Sequence, residues 1–317
     1  MGVAQSNISR CEPSSPPADN GELPELVRQA QAAEEEEAGL KNPGQFDDLE
    51  GAPRRVLGID TFDGFRFQFM RPLSQNFMLT HTMMFGNTLQ LGDSVPGGTL
   101  YQFAAHAVKG EGNVLVGIVD LNGVVRGELR KALGASGNFR MSGQFCEERE
   151  RNHLSMDYDH VAKDFSVNLK CENGAVLGSS FVHALTPTIA VGAAMFHFVG
   201  QGKSVVNYGA RYANKEWSFV AKQGMRGYDA WYHRKVNDRV SLACGYTLNP
   251  ATLESMTNFG AEFNLKQSQF QAHVDATGKI SSSLAAMPMM GIRMNLSAEM
   301  HHATDHYKFG YGLSVGQ

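Results

Sequence analysis

The chain of 317 residues has no apolar run long enough to cross a membrane as a helix. Its most promising charge-free stretch, residues 173–202, is interrupted by Pro187. The cleanest part of that stretch, Thr188 to Phe198, falls far short of the roughly 20 residues that a spanning helix needs. The stretch instead predicts two strands joined near Thr186 and Pro187. A mean hydropathy of −0.27 also excludes a bundle of membrane helices.

The chain has few cysteines, and no signal-peptide pattern is visible in its sequence. The four cysteines, Cys11, Cys146, Cys171 and Cys244, form neither a CxxC pair nor a Cys/His zinc spacing, so we expect reduced thiols and no disulfide framework. No apolar segment follows a basic N-terminal region, so we expect no secretory signal peptide. A bacterial outer-membrane barrel would need such a signal.

Motifs of catalysis and of cofactor binding are missing too. The sequence contains no HExxH, Walker loop, GxSxG or GxGxxG, so we expect neither an enzyme nor a cofactor. The nearest approach to a metal site is a run of acidic and histidine residues, Glu299, His301, His302, Asp305 and His306. It lies between two strands with no implied geometry, which favours an ordinary polar loop over a zinc site. A net charge of −4 gives no support for nucleic acid as a partner.

What the chain does contain is a clean amphipathic strand near its C-terminus, His306 to Val315. Every second residue from Tyr307 onward is apolar or aromatic, and the residues between are Lys308, Gly310, Gly312 and Ser314. A period of two indicates a β-strand with one face in an apolar medium and the other in a polar one. At the edge of an open sheet such a strand invites aggregation, whereas a closed barrel has no edge. The strand therefore favours a membrane β-barrel.

The same alternation continues through the chain from Thr61. About nineteen strand-like segments follow one another, and the roughly 257 residues after Asp60 give about 13 residues for each strand with its turn. The 34 glycines fit chains whose pleated strands bend and turn tightly. We therefore predict an all-β fold, a transmembrane β-barrel of about 19 strands over residues 61–317.

The first 60 residues have a different composition. Residues 1–40 are rich in proline and serine and carry the acidic run Glu34–Glu37, which predicts a disordered leader. Met1-Gly2 with Ser6 also fits the pattern for N-myristoylation, which is common by chance. Residues 41–60 predict a turn and then one short helix, roughly Gln45 to Arg55, that leads into the first strand. A helix so short needs something to pack against.

If the apolar face of the barrel contacts lipid, the opposite face lines a pore. Charged residues that fall on or near that wall are Arg66, Arg126, Glu128, Arg130, Arg140, Asp157, Asp159, Asp164, Lys170, Glu172, Arg211, Lys222, Glu262, Lys266, Asp275, Arg293, Glu299 and Lys308. Neither sign is in visible excess. Most of these charges need be no more than solvated by a wet lumen, and any that gather into patches would control permeation.

Two stretches resemble one known family. Residues 308–315 match the mitochondrial β-signal for membrane insertion, with Lys308, Gly310, Leu313 and Val315 at its polar, glycine and hydrophobic positions. The second stretch lies near the start of the chain and contains three motifs. They are an N-P-G-x-F entrance helix at Asn42 to Phe46, an L-S-x-x-F pattern at Leu73 to Phe77 and an H-T pair at His81. These motifs resemble the channel-forming subunit of the mitochondrial outer-membrane protein translocase, the TOM complex, in the mitochondrial porin superfamily.

The resemblance implies a nineteen-stranded barrel in the mitochondrial outer membrane. Its first and last strands would pair in parallel, and its N-terminal helix would lie inside the lumen. It also implies transport of unfolded precursor proteins with basic presequences from the cytosol to the intermembrane space. The expected partners are a central receptor subunit, small helical subunits, a second copy of the channel in a homodimer, membrane lipid and intermembrane-space chaperones. The dimer seam is expected near residues 62–71 and 306–315. Acidic wall residues would contact the presequences, and the candidates are Glu128, Asp157, Asp159, Asp164, Glu172 and Glu262.

Two other functions remain open. The voltage-dependent anion channel shares the fold and the β-signal, but this chain has a longer acidic leader and a different entrance helix. Its net charge also gives no support to an anion-selective metabolite pore. A soluble β-rich binding protein would also show alternation, and it would dissolve without detergent.

Overall fold

A computed structural model describes residues 42–91, 93–110, 112–134, 136–147, 152–225 and 227–316, with the backbone alone described at residues 87–91 and 93–97. The predicted leader, Cys11 and the myristoylation pattern lie outside these residues. In the part of the chain that is described, no helix is long and apolar enough to cross a bilayer.

The described chain begins with a short helical segment and continues with strands. A 3₁₀ turn, Asp47–Glu50, leads into α1, Gly51–Leu57. The strands are β1 Gly64–Ser74, β2 Phe77–Leu91, β3 Asp93–Val108, β4 Val114–Asp120, β5 Val125–Leu133, β6 Gly137–Phe145, β7 His153–Val161, β8 Phe165–Glu172, β9 Val176–Ala184, β10 Ile189–Phe198, β11 Lys203–Ala213, β12 Trp217–Gly224, β13 Gly227–Asn237, β14 Val240–Asn249, β15 Glu254–Asn264, β16 Ser268–Asp275, β17 Lys279–Met289, β18 Ile292–His301 and β19 His306–Val315, with a 3₁₀ turn, His302–Thr304, before β19.

The strands form one closed barrel. Consecutive strands pair antiparallel, and β1 also pairs with β19, so the sheet has no free edge. That closing pair is parallel and runs from Gly64 opposite Gly310 to Phe69 opposite Val315. With an odd number of alternating strands, the first and the last point in the same direction, so their pairing must be parallel. The predicted all-β barrel of about nineteen strands is confirmed.

Alternation along each strand separates two faces of the wall. On β19, Tyr307 and Phe309 are exposed on the outer face, whereas Gly310 and Ser314 are buried on the inner face. The register carries the same assignment from strand to strand around the barrel and back to β1. The outer face bears the apolar and aromatic residues, which suits contact with lipid. The inner face lines the lumen.

Two local predictions agree with the structure, and the helix is displaced. The stretch at residues 173–202 forms two strands, β9 and β10, joined by residues 185–188 as predicted. The last strand has the predicted limits. The helix predicted at Gln45 to Arg55 is found two residues further along, from Asp47 to Leu57. Its first part, Asp47–Glu50, is a 3₁₀ turn, and the α-helix itself begins at Gly51.

The segment that precedes β1 crosses the lumen. We call the end of the barrel at which β19 finishes the near end, and the end at which β1 and β19 begin the far end. Asn42 Nδ2 donates hydrogen bonds to the carbonyls of Ala162 and Phe165, in the near-end turn between β7 and β8. Thr61 Oγ1 donates to Glu299 Oε2 at 2.8 Å, close to the far end of β18. The helix α1 between these anchors therefore lies inside the barrel.

The helical segment is held by an apolar contact with the inner wall. Phe46 and Leu49 form a buried cluster with Val182 and Val220 of the wall, and both valines have no solvent exposure. Burial of a large apolar side chain contributes about 1.5–3 kcal/mol. This contact supplies the packing that so short a helix requires.

Glycines on two pairs of neighbouring strands, β10 with β11 and β14 with β15, make room for the helical segment. Gly192, Gly209, Gly245 and Gly260 all lie on the inner face, and an added Cβ on any of them would lie within 3.2 Å of the helical segment. At Gly209 the added atom would lie 3.0 Å from Cε2 of Phe46 and 3.3 Å from Cδ1 of Leu49. We call these four residues the glycine track.

We predict that Gly209→Val displaces the helical segment from the wall. Overpacking of this kind costs about 1–3 kcal/mol. Trypsin is too large to enter a barrel of this size, so it can cleave after Arg54 and Arg55 only when the helical segment leaves the lumen. The measurement is therefore the rate of tryptic cleavage after these two residues in the folded protein. The rate should rise several-fold. Gly127→Val, on the outer face with no atom within 4 Å of the added Cβ, is the control and should cleave as the parent does. Equal rates in both variants would contradict the role of the glycine track.

We also predict that Gly310→Val weakens barrel closure without any sorting machinery. An added Cβ at Gly310 would lie 2.4 Å from the carbonyl oxygen of Phe62 and 2.5 Å from Oγ of Ser297, beside the closing seam. The variant refolded into pure detergent should lose its compact, heat-modifiable gel band at a lower temperature than the parent. Gly117→Val serves as the control, because its added Cβ has no atom within 4 Å. If Gly310→Val loses its compact band at the same temperature as the parent, the prediction is wrong and this glycine serves only in recognition of the β-signal.

Candidate functional site

The candidate site is the inner wall of the barrel. The strand-borne charges expected on the pore wall all fall on this face, since the register relates them around the ring. The other two, Asp164 and Lys266, lie in turns at the near-end rim, which the expectation also allowed. The pattern of alternation therefore identified the lumen-facing side chains correctly, and it gave no information on their height or azimuth.

Four of the six acidic candidates form a column on β7 and β8. Glu172 lies at the far end of β8 opposite Ser155, and Asp157 and Asp159 follow on β7 toward the near end. Asp164 lies in the near-end turn that joins the two strands. Residues two apart on a strand are about 7 Å apart, so the column offers carboxylates at short, repeated intervals along the lumen. We call these four residues the acidic column.

Basic residues are interleaved with the column. Asp157 faces Arg140 on one neighbouring strand and Lys170 on the other. Lys170 Nζ lies 3.6 Å from Glu172 Oε1. One carboxylate oxygen of Asp157, Oδ1, has no hydrogen-bond partner among the described residues. The column is therefore a ladder of mixed charge, in which cationic side chains alternate with the carboxylates.

Glu128 lies two strands away from the column and is already neutralised. Its Oε1 accepts from Nε of Arg130 at 2.6 Å and lies 3.0 Å from Nε of Arg140. Arg130 and Arg140 face each other across β5 and β6, and Glu128 offsets the repulsion between them. Glu128 therefore has less attraction left for a passing cation than the column has.

Glu262 lies in another sector, on the wall covered by the helical segment. It is buried, and its Oε1 accepts hydrogen bonds from Asn264 at 2.9 Å and from Gln269 at 2.8 Å. The structure thus brings four of the six candidates together, leaves Glu128 beside them and separates Glu262 from them.

A lysine fixes the helical segment to the same covered wall. Lys222 Nζ lies 3.4 Å from Glu50 Oε2 and 4.8 Å from the ring centre of Phe46. It also lies 5.8 Å from the ring of Trp231. A partly desolvated cation held between a carboxylate and aromatic faces is strongly localised. The helical segment therefore lines one side of the lumen and is held there by charge as well as by apolar packing.

The residues of the β-signal occupy both faces of the closing strand. Lys308 faces the lumen, where its Nζ lies 3.5 Å from Glu299 Oε1, and Lys279 Nζ lies 3.0 Å from the same oxygen. Gly310 packs against Phe62, while Leu313 and Val315 lie on the outer face. These positions have structural roles in the seam, in addition to any role in recognition.

The two rims of the lumen differ in charge. In the far-end loops and strand-terminal positions that the structure describes, acidic residues dominate, and Lys203 and Lys279 are the basic ones. The acidic residues there are Asp60, Asp63, Asp120, Glu147, Glu172, Glu254, Asp275 and Asp305. The near-end loops carry Lys109, Lys163, Lys215, Arg239 and Lys266 with Asp164, Glu216 and Asp238. In one near-end turn, a hydrogen bond from Lys235 at 2.7 Å lowers the pKa of Asp238.

The loop before β19 makes local contacts. His301 Nδ1 accepts a hydrogen bond from the Thr304 amide at 3.2 Å, and His302 lies beside the ring of Tyr307. Within the described ranges, no three His, Cys, Asp or Glu side chains are grouped so that they could hold a metal ion.

Sequence reasoning missed the glycine track and the localised Lys222. A signal was present at three of the four positions, because Gly209, Gly245 and Gly260 fall on the polar parity of their strands. Gly192 carried no such signal, since Ala190 and Ala194 share its parity. Glycines at the polar parity on neighbouring strands indicate a close approach to the inner wall. The partner of Lys222 carried no comparable signal, since it depends on where the helical segment lies.

Curated relatives resemble this chain along most of its length. The chain is 25% identical to the probable mitochondrial import receptor subunit TOM40-2 of Arabidopsis thaliana, over 88% of this chain and 92% of the relative. It is 23% identical to the TOM40 homolog of Homo sapiens, over 90% and 81% of the two chains. It is 26% identical to tom40 of Neurospora crassa, over 87% and 84%. The resemblance expected from the sequence motifs is confirmed.

The solved structures that match this chain include several mutants of a porin from Rh. blastica. One of these mutant porins matches 74% of this chain and 96% of its own length, with a TM-score of 0.47 and 9% identity.

The chain is a transmembrane β-barrel of the mitochondrial outer membrane, as expected. The family model described as eukaryotic porin matches residues 42–310, which is most of the chain. The chain therefore belongs to the eukaryotic porin family.

Proposed function

We propose that this chain is the pore through which unfolded precursor proteins cross the mitochondrial outer membrane from the cytosol to the intermembrane space. The acidic column is the single observation that carries the proposal. A column of carboxylates that spans the lumen suits a long, flexible, basic polypeptide better than it suits a small solute. The names of the relatives, which are import receptor subunits, support the same class of cargo.

The mechanism is a sequence of weak contacts with no catalytic step in this chain. A basic presequence first meets the acidic far-end rim, where several carboxylates raise the local concentration of cations. It then passes Glu172, Asp157, Asp159 and Asp164 in turn. Each exposed pair contributes about 0.2–1 kcal/mol in a wet lumen.

The interleaved cations keep these contacts weak. Because Arg140 and Lys170 face Asp157 on both sides, a presequence lysine must compete with charges that are already in place. Conduction requires sites that bind weakly enough to release their occupant. The mixed ladder therefore suits passage more than retention.

The runner-up function is a voltage-dependent anion channel for metabolites. The luminal basic residues Arg126, Arg130 and Arg140 favour it, since they would attract anions. The acidic far-end rim opposes it, because anions that approach from that end meet carboxylates first. A cation-preferring reversal potential in a planar bilayer would favour the precursor pore, and an anion-preferring one would favour the runner-up.

The partners proposed for this chain follow from the same function. They are precursors with basic presequences, a central receptor subunit, small helical subunits, a second copy of the chain and chaperones of the intermembrane space. The outer face near residues 62–71 and 306–315 is the proposed seam between two copies. Disulfide crosslinking through a single cysteine placed at Phe67 on the outer face, in an otherwise cysteine-free chain, would test that seam, because a crosslink then joins two copies.

We predict that Asp157→Asn with Asp159→Asn weakens block of the pore by a basic presequence peptide. The loss of two contacts should raise the dissociation constant roughly 2- to 30-fold. The measurement is single-channel recording of the purified barrel in a planar bilayer with peptide on one side. Higher salt should reduce the block in the parent and have less effect in the double variant.

The matched control is Glu216→Gln with Asp238→Asn, which removes two negative charges from near-end loops outside the column. The peptide should block the pore of this control variant as strongly as it blocks the parent pore. Charge reversal at Asp157, Asp159 and Asp164 together should abolish most of the block and impair import into mitochondria. Unchanged binding and import in that triple variant would refute the placement of the acidic path.

A further inference from the structure

The outer wall carries a charge pattern that transport through the lumen does not use. Among outward-facing strand positions whose side chains are described, three are charged: Arg71 on β1, Lys131 on β5 and Arg234 on β13. All three are basic and all three lie near the near end, two or three residues before the end of their strand. We call them the outer basic belt.

The register gives the depth of the belt in the membrane. Lys131 lies beside Phe139, and Arg234 lies beside Trp217, each on the outer face. Trp217 stacks on Tyr212 with ring centres 4.9 Å apart, as part of an aromatic group at this end of the wall. Aromatic residues on the outer face mark the interface between hydrocarbon and headgroups. The cations beside these aromatic residues therefore lie at the same interface, within reach of the headgroups.

The three cations have no protein partner in the described residues. All three side chains are exposed, and none forms an ion pair there. Two histidines on the outer face, in contrast, are paired with neighbours. His81 Nδ1 lies 2.7 Å from the hydroxyl of Tyr101, and His197 Nδ1 lies 2.9 Å from Oγ of Ser204. The charges of the belt thus remain available to a group outside the chain.

Near-end loops extend the belt around the ring. Lys109, Lys163 and Lys266 are exposed in the turns after β3, β7 and β15. Basic groups spread around the circumference at one end of the barrel fit many small anions in a surface. They do not form a pocket for a single bound molecule.

We propose that the outer basic belt binds anionic phospholipid headgroups in the leaflet at the near end of the barrel. Long cationic side chains lay their apolar stems along the wall and extend their charge to the headgroups. Lipid phosphates are the anions that occupy this level, and an anionic lipid surface attracts each nearby Lys or Arg. At the far end, the described outer strand positions are uncharged and offer no such preference. The inference depends on the membrane barrel and is independent of the proposed cargo.

The experiment measures which lipids the barrel retains. The purified protein is reconstituted in vesicles of equal parts phosphatidylcholine and phosphatidylglycerol, then extracted in mild detergent. Mass spectrometry gives the ratio of the two lipids bound. The parent should enrich phosphatidylglycerol about five-fold over the vesicle, as expected for one cation near an anionic surface. Lys131→Gln with Arg234→Gln should lower that enrichment at least about two-fold.

The matched control is Lys203→Gln with Lys235→Gln. It removes the same charge from positions of lumen-facing parity and should retain the parent's enrichment. Exchange of Lys131 to Arg with Arg234 to Lys should also retain it. If the ratio of bound lipids in Lys131→Gln with Arg234→Gln equals that of the parent, the proposal is overturned. These side chains would then bind an acidic segment of a partner protein, or nothing.

A measurement on the parent alone covers the case in which the belt variant fails to fold. Enrichment of phosphatidylglycerol should decrease as sodium chloride is raised during extraction, because the contacts are exposed charges. Retention of the two lipids in the ratio of the vesicle, at low salt, would overturn the proposal without any variant.

Discussion

Every backbone amide and carbonyl in the hydrocarbon core of a bilayer needs a partner within the protein, since no water is there to supply one. This barrel meets the requirement by closing on itself, and its odd number of strands makes the closing pair parallel. Because the register continues around the closed barrel, alternate residues of every strand point to the same side of the wall. Each side chain on a strand then faces either lipid or lumen, and the seam, the helical segment and the charged ladder all depend on that assignment.

The lumen is asymmetric because one side of it is covered. The helical segment packs on β9 to β16 through Phe46, Leu49 and the glycine track, and Lys222 fixes it electrostatically. The acidic column and its interleaved cations lie on the adjacent strands β7 and β8, where the start of the segment is held by hydrogen bonds that involve Asn42 and Ser166. The apolar contact of the segment and the acidic column therefore occupy neighbouring sectors of one sheet. Glu262 illustrates the division, since it is held by two amides on the covered side and has little attraction left for a cargo.

The sequence predicted the architecture well because a period of two is a local property. Strand β19, the hairpin of β9 and β10 and the lumen-facing parity of Asp157 could all be deduced from neighbouring residues. The spatial grouping of charges could not, since it depends on the stagger between strands. Short turns after β7 make Asp159 face Asn168, and that local pairing could have revealed the acidic column. Neutralisation of Glu128 by Arg140 depends on the adjacent strand and required the register. The outer basic belt had a signal too, because Lys131 continues the apolar parity of Val125 and Leu129.

The central claim is that the lumen attracts basic polypeptide from its acidic far end. Its most direct test is a two-sided planar-bilayer recording of a single oriented barrel, with a basic presequence peptide added first to one side and then to the other. The side that faces each bath is established with a bulky label on a cysteine introduced at Ala251, in the far-end loop, in a cysteine-free background. The account predicts a cation-preferring pore in which block begins at lower peptide concentration from the far-end side. An anion-preferring pore, or block that is equal from both sides, would contradict it.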